Sequence, residues 1–323
     1  MQAAFTQSYG SPEVLQVREA PTPSLADDQV LIQVRSAPVT AGDLRLRAAD
    51  FPSFTALPGR LVLGIFGPRK PVQGTMFAGR VVRVGKAVTR FAVGDDVFGA
   101  SMSGAYAELV AMPQGGALAK MPQGVGYDEA AASPYGAVTA ITFLRDLGKL
   151  QPGQKLLVIG AAGGVGRFAI QIGKHLGAEV TAVCRPRSFD LVRSLGADHV
   201  IDRESQDFTQ SGVRYDLIFD CVGASSFPRA RRALTDRGAY LTLLISLSIL
   251  FWTVVTPLLG GRRSKLTIVN DDARAIEEVR DLLERGVIRS IIAERYSLEH
   301  IADAHARAEA RRDDGAIVVS PTA

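Results

Sequence analysis

The strongest constraint on this chain is the stretch KLLVIGAAGGVGRFAIQIGKHLGAEVTAVCRPR at 155–187, which reads as strand, glycine-rich turn, helix and second strand in immediate succession. Leu156 to Ile159 make an unbroken apolar run, the pattern of a parallel strand buried on both faces. Gly160, Gly163, Gly164 and Gly166 crowd the turn that follows. Val165, Phe168, Ala169, Ile172 and Leu176 then recur at helical spacing, Gly177 stands where a left-handed cap belongs, and Val180 to Val183 supply the second strand. The turn reads A-x-G-x-x-G, with Ala161 in place of the first glycine of the dinucleotide-binding fingerprint. Gly163 would let backbone approach a pyrophosphate, and Gly166 would let the helix pack on the strand with its N-terminus facing the negative charge. The expected phosphate site is Gly163, Gly164, Val165 and Gly166.

The end of the second strand selects the cofactor. An NAD-specific site places an acid about 20 residues on, to hold the ribose 2′-hydroxyl. Here stand Cys184, Arg185, Pro186 and Arg187, with no acid before Asp190. Two guanidiniums suit a 2′-phosphate, so NADPH is the expected cofactor, with Cys184 at the strand end and Arg185 and Arg187 as its holders. Ligands of parallel sheets bind at the carboxyl ends of strands, which adds Cys221, Val222 and Gly223 beside the ribose and nicotinamide. Arg167 opposes the helix dipole and is expected to point to solvent.

Along the rest of the chain the period switches. Up to about Pro122 the sequence is strand-rich: Val30, Ile32 and Val34 alternate with Leu31, Gln33 and Arg35, and Val81, Val82, Val84, Val97, Phe98 and Tyr106 to Val110 continue the β pattern. From about Gly124 to Gly261 strands alternate with helices, which implies a doubly wound parallel sheet and an α/β class. Ile276, Val279, Leu282 and Leu283 then form a helix stripe ended by Gly286. A strand at 289–296, a helix started by Ser297 and a strand at Ala316 to Val319 follow.

The segment YLTLLISLSILFWTVVTPLLGG at 240–261 is free of charge and close to the ~20 residues that span a bilayer. It begins where a strand is due, carries β-branched residues and contains Pro257, so a strand followed by a buried or interface helix is expected rather than a membrane span. Basic clusters at Arg229, Arg231, Arg232 and at Arg262, Arg263, Lys265 have no interleaved aromatic residues, which argues against nucleic acid. The net charge is only +4. Cys184 and Cys221, the two cysteines, are expected on inner strands as reduced core residues, consistent with the cytoplasm. No secretion signal is visible in MQAAFTQSYGSPEVLQV.

Several motifs in order resemble the medium-chain dehydrogenase/reductase superfamily, in its zinc-independent quinone oxidoreductase branch. They are FAGRVVRVGKAVTRFAVGDDVFG (77–99), GAAGGVGRFAIQIGKHLGAEV (160–180), SLGADHVID (194–202), YDLIFDCVG (215–223) and AERYSLEHIADAHARAE (293–309). The resemblance implies a GroES-like β-rich catalytic domain over 1–122 and 262–323, with the tail returning to it, and a Rossmann NADP(H)-binding domain over 123–261. It also implies an active site in the cleft between them. Thr139, in SPYGAVTAITF, matches a family position near the nicotinamide.

Zinc is not expected. A catalytic zinc needs about three protein ligands. All four histidines (His175, His199, His300, His305) lie in the Rossmann or tail regions, and neither cysteine lies in the first 122 residues. Where zinc-dependent relatives carry Cys-x-x-Asp, this chain has Thr40-x-x-Asp43; where they carry Gly-His-Glu, it has Gly74-Thr75-Met76. Without a Lewis acid the implied chemistry is hydride transfer to a hydrophobic acceptor that is already electrophilic, a quinone or an α,β-unsaturated ketone. Zinc-free relatives typically show Asn at the Thr40 position. Thr40 could donate to a substrate oxygen or make a strand-end hydrogen bond. Asp43 is expected to cap or orient the helix DLRLRAAD, and Tyr135 or Tyr106 to give a proton or to pack. A redox sensor or interaction protein that binds NADP(H) with little catalysis is the alternative, and an alcohol dehydrogenase a weaker one. The apolar stretch 51–71 is a candidate substrate wall, and the family's habit implies a homodimer.

Overall fold

The structure, a computed structural model, describes residues 1–50, 53–310 and 315–321. The chain begins with β1 (Gln2–Thr6), β2 (Leu15–Glu19) and β3 (Gln29–Pro38), then α1 (Ala41–Ala48) and α2 (Ser53–Leu63). Strands β4 (Met76–Val84), β5 (Asp96–Ala100), β6 (Leu109–Pro113) and β7 (Leu118–Lys120) follow, and α3 (Tyr127–Ile141) leads out of them. Next come β8 (Lys155–Ile159), α4 (Gly166–His175), β9 (Glu179–Cys184), α5 (Phe189–Ser194), β10 (His199–Asp202) and β11 (Tyr215–Asp220). After these lie α6 (Phe227–Ala230), β12 (Leu234–Thr242), α7 (Leu247–Leu259) and β13 (Arg263–Lys265). The tail holds α8 (Ala273–Glu284), β14 (Ile292–Ser297), α9 (Ile301–Glu309) and β15 (Ala316–Ser320).

The molecule has a mixed α/β fold divided into two units, residues 1–135 with 271–323, and residues 136–270. The first is the GroES-like unit. Its main sheet runs β14-β15-β3-β4-β5-β7, with β6 paired to β3. β3 is central, flanked by antiparallel β4, β6 and β15. That position buries Leu31 as well as its alternating neighbours Val30, Ile32 and Val34. Phe77, Val81, Tyr106, Leu118 and, from the tail, Ile301 and Val319 complete the same core.

The second unit is a Rossmann sheet ordered β10-β9-β8-β11-β12-β13, every pair parallel. A parallel sheet needs helices on both faces, which explains why Leu156, Leu157, Val158 and Ile159 are all buried. The strand order reverses between β8 and β11. Dinucleotide crevices form at the carboxyl ends of strands at such a switch point.

Several expectations shift. The strand expected at 106–110 begins only at Leu109, and that expected at 289–296 runs from Ile292 to Ser297. The stretch 51–71 contains the helix Ser53–Leu63; its first two residues, Phe51 and Pro52, lie outside the described residues. Segment 240–261 is the end of β12 followed by a 13-residue helix that continues through Pro257. No helix among the described residues is long and apolar enough to cross a membrane. Cys221 falls just past the end of β11 rather than on an inner strand, whereas Cys184 ends β9; neither is in a disulfide among the described residues.

Candidate functional site

In the Rossmann unit the turn after β8 is shaped by what glycine omits. Gly160 has φ +77°, and a Cβ there would meet Val222 Cγ1 at 2.6 Å. The turn therefore lies directly against the loop that follows β11. A Cβ on Gly166 would stand 2.3 Å from the Gly160 carbonyl oxygen and 2.7 Å from Ala161 Cα, so α4 can start this close to β8 only with glycine there. At Gly164 a Cβ would meet nothing within 4 Å, which marks the open side of the turn. Gly163 N–H donates to the Gly160 carbonyl at 3.0 Å, while no backbone carbonyl among the described residues accepts from Gly164, Val165 or Gly166. Three N–H groups without a backbone acceptor at the start of a ten-residue helix could hold phosphate oxygens. Gly136, on α3, packs on this turn: a Cβ there would fall 2.5 Å from the Gly164 oxygen and 2.3 Å from the Phe168 ring. Thr139 lies one turn further along α3 and is buried.

The loop after β11 is organised by Asp220, which the sequence reading did not single out. Its carboxylate is fully buried. Oδ1 accepts from the backbone N–H of Val222 (3.1 Å), Gly223 (2.8 Å) and Ala224 (3.2 Å), and Oδ2 accepts from Ser225 N–H (2.8 Å) and the Tyr240 hydroxyl (2.9 Å). Five donors satisfy this buried carboxylate, which makes no ion pair among the described residues. The carboxylate in turn pushes the Tyr240 hydroxyl upward, after burial as the larger cause. Gly223 has φ +66° and a Cβ there would collide with Leu244 at 2.1 Å, so this position also requires glycine. Burial first, and the neighbouring Asp220 second, push the Cys221 thiol well up, which makes it a poor nucleophile.

At the end of β9, Cys184 is buried and its carbonyl accepts from Arg203 N–H at 3.0 Å. Arg185 lies 3.3 Å from the carboxylate of Glu204, an acid delivered by the loop after β10. The expectation of a site without an acid thus requires amendment: parallel pairing of β9 with β10 sets Asp202 opposite Cys184 and brings Glu204 to Arg185. Arg187 follows in the short turn Pro186–Ser188. Arg167, expected in solvent, is instead 5% exposed, with Nη1 donating to the Ala162 carbonyl at 3.3 Å. Its guanidinium folds back over the turn because α4 is covered on all its first two turns.

The GroES-like unit gathers the three catalytic candidates. Thr40 and Asp43 form a capping box at the start of α1. Asp43 N–H donates to Thr40 Oγ1 (3.2 Å), and both Thr40 N–H (2.9 Å) and Thr40 hydroxyl (2.5 Å) donate to Asp43 Oδ2. The Thr40 hydroxyl proton is therefore committed to Asp43 rather than offered outward. Thr75 donates its hydroxyl to Asp43 Oδ1 at 3.0 Å. Burial pushes the Asp43 carboxyl up, against hydrogen bonds from Thr40, Thr75 and Tyr106 that pull it down. Tyr106 is buried, donates to the Pro38 carbonyl at 3.1 Å, and is raised well above its ordinary value by burial and then by Asp43. The Tyr135 ring rests over Gly42, where a Cβ would be 3.4 Å from Cε2. Burial raises its hydroxyl, with Arg45 pulling the other way. Behind this cluster the buried Arg47 donates to Gly10 O at 3.1 Å, pairs with Glu309 and faces His305 Nδ1 at 3.4 Å. Burial and then Arg47 hold His305 down at about 3. Among the described residues no three His, Cys, Asp or Glu side chains converge as a metal site.

Comparisons with known proteins agree with this architecture. Residues 26–123 match the model of the alcohol dehydrogenase GroES-like domain, and residues 195–319 match the model described as zinc-binding dehydrogenase. The chain is 30% identical to a quinone oxidoreductase of Pseudomonas aeruginosa over 97% of its own length and 98% of that protein's. It is 28% identical to a 2-methylene-furan-3-one reductase of Solanum lycopersicum, covering 99% of this chain and 79% of that one. The structure of the quinone oxidoreductase from Coxiella burnetii superposes with a TM-score of 0.86, at 23% identity and 99% coverage of both chains.

Proposed function

Because the chain belongs to the quinone oxidoreductase-like branch of the medium-chain dehydrogenase/reductase superfamily, we propose that it reduces quinones or α,β-unsaturated ketones with NADPH and without a catalytic metal. The observation that carries the cofactor half is the trio of N–H groups without a backbone acceptor at Gly164, Val165 and Gly166 beside the loop ordered by Asp220. On this reading the unit 136–270 is the cofactor domain and the unit of 1–135 with 271–323 the catalytic one. The three amides bind the pyrophosphate, Arg185 and Arg187 hold the 2′-phosphate, and Cys184, Cys221, Val222, Gly223 and Thr139 border the ribose and nicotinamide. Bound NADPH supplies the hydride.

The protein's own contribution is orientation and a proton. The acceptor gains hydride at an electrophilic carbon or quinone oxygen, and the resulting oxyanion takes up one proton. Tyr135 is the proposed donor, a half-buried tyrosine whose ring rests on Gly42 of α1. Thr40 and Asp43 hold the helix start beneath it, a positioning role that follows from their reciprocal hydrogen bonds. Zinc independence is supported by the donor set, since Thr40, Thr75 and Met76 offer no thiolate, imidazole or carboxylate where zinc-dependent relatives carry ligands. A cytoplasmic homodimer belongs to the same reading by analogy with the family.

The test is NADPH consumption with a panel of ortho-quinones and small enones, run with a chelator and repeated with NADH. Turnover that survives the chelator and favours NADPH supports the proposal. Tight NADPH binding without turnover on any acceptor replaces it with a sensor or interaction role.

A further inference from the structure

The outward face of α1 carries a cation with no counter-charge. Asp43 and Arg47 turn inward and are buried, whereas Arg45, between them, is exposed. Its side chain makes no hydrogen bond or ion pair among the described residues. Gly42 lies three residues earlier, so the two share one face of the helix, and a helical side chain leans back toward the N-terminus. The Tyr135 ring covers that face at Gly42, where a Cβ would stand 3.4 Å from Cε2. The Arg45 stem therefore leans toward the tyrosine. The charges around the Tyr135 hydroxyl agree with this placement. Burial raises the hydroxyl, Arg45 is the larger pull downward, Asp43 and Asp271 add to the rise, and the Gly42 backbone assists Arg45.

Reduction of an enone creates the charge that such a cation can meet. Hydride from bound NADPH forms a C–H bond at the β-carbon and leaves NADP⁺ behind. The C=C electrons move one bond along, the C=O electrons move to oxygen, and the product is an enolate. One proton from the Tyr135 hydroxyl completes the reduction, and water returns a proton to the phenolate. Until that proton moves, the oxyanion needs a positive partner, and donors aimed at charge that develops in the transition state are usually the largest catalytic contribution. The hydroxyls nearby are already engaged: Thr40 donates to Asp43, and Tyr106 donates to the Pro38 carbonyl. Arg45 supplies what they do not, because guanidinium hydrogen bonds to an oxyanion are charge-assisted and about twice as strong as neutral ones. The same guanidinium favours the Tyr135 phenolate once its proton has left.

We propose, on the reductase reading, that Arg45 is a catalytic residue that binds the oxyanion formed by hydride transfer and shares it with the Tyr135 hydroxyl. The experiment is steady-state turnover of an enone with NADPH by the wild type, Arg45→Gln and Arg45→Lys, with the urea midpoint and NADPH affinity measured on each. Arg45→Gln should lower kcat by about tenfold to a hundredfold and change KM by less than about threefold, as loss of a contact made only in the transition state does. Arg45→Lys, which keeps the charge without the planar fork, should stay within about fivefold of the wild type. The urea midpoint and NADPH affinity should be those of the wild type in both variants. A guanidinium that only complements the C-terminal end of α1 would instead move the midpoint and leave kcat alone. An acidic cyclic 1,3-diketone, which binds as an enolate, should inhibit the wild type at least about tenfold more strongly than Arg45→Gln. Wild-type kcat in Arg45→Gln, a loss confined to KM, or equal inhibition of the two proteins by the diketone overturns the proposal and leaves the reductase reading standing. A wild type that turns over no acceptor removes the reductase reading itself, and the proposal with it.

Discussion

Replacing Asp220 by Asn exchanges one carboxylate oxygen for an amide while leaving the shape of the side chain unchanged. In the wild type that carboxylate accepts five hydrogen bonds, three at Oδ1 and two at Oδ2. Asn can keep its oxygen toward Val222, Gly223 and Ala224, where each bond falls from charge-assisted to neutral strength. Its amide then faces Ser225 N–H, donor against donor, and that bond is lost, while the Tyr240 hydroxyl can turn to accept. Charge assistance is worth about 1 kcal/mol per bond, and an orphaned buried donor costs about 1–3 kcal/mol, partly offset because no charge remains buried. The net expectation is a loss of about 3 kcal/mol of unfolding free energy, read as a shift of the urea midpoint. Because Val222 packs on Gly160, the loosened loop should also weaken NADPH binding by about tenfold or more, or about 1.4 kcal/mol, measured by cofactor fluorescence. A D220N protein within about 0.5 kcal/mol of wild type and with unchanged NADPH affinity would refute the claim that this carboxylate orders the loop.

Glycine substitutions separate shape from binding: Gly166→Ala, with its Cβ 2.3 Å from a carbonyl oxygen, should cost about 1–3 kcal/mol in stability by urea unfolding. Gly164→Ala, with nothing within 4 Å, should fold as the wild type and lose NADPH affinity only, as titration would show. Glu204→Gln removes one competing carboxylate from Arg185 and should tighten NADPH by about twofold to fivefold while leaving NADH unchanged, checked by parallel binding titrations. His305, held at about 3 when folded against an ordinary 6.5, binds fewer protons in the folded state. Its contribution is present above pH 6.5 and is lost as pH falls toward 3, with a slope of up to about 1.4 kcal/mol per pH unit. Urea unfolding across that window should show this slope in the wild type and a shallower one in His305→Gln.

Period and turn chemistry made the framework legible. The apolar run at Leu156–Ile159, the glycine spacing and the helix stripe of 276, 279, 282 and 283 each specify local geometry, and the structure has those elements. Thr-x-x-Asp at 40–43 is likewise a local signal, because both partners of a capping box lie within one turn. What the sequence concealed is non-local. Asp220 reads as an ordinary residue at a strand end, although an aspartate with Gly-Ala-Ser three to five residues on is a composition that folds backbone amides onto a side chain. Glu204 reaches Arg185 only because β10 lies beside β9. Arg167 sits on a helix face whose covering comes from elsewhere in the unit, so its burial left no trace in the local pattern.

The last strand of the parallel sheet, β13, has only three residues, and no strand among the described residues pairs with its outer side. Arg263 and Lys265 bracket it, and Lys265, lowered by burial and then by Arg263, also donates to the Leu147 carbonyl at 2.9 Å. Short, positively charged margins keep sheets from extending into aggregates. A twin molecule continuing the sheet there, as the proposed homodimer would, sets two such pairs of cations near one another, a repulsion that fades within a Debye length of about 8 Å at physiological salt. Ionic strength would then tune the pairing: brine would tighten a sheet-to-sheet dimer, and dilute buffer would loosen it.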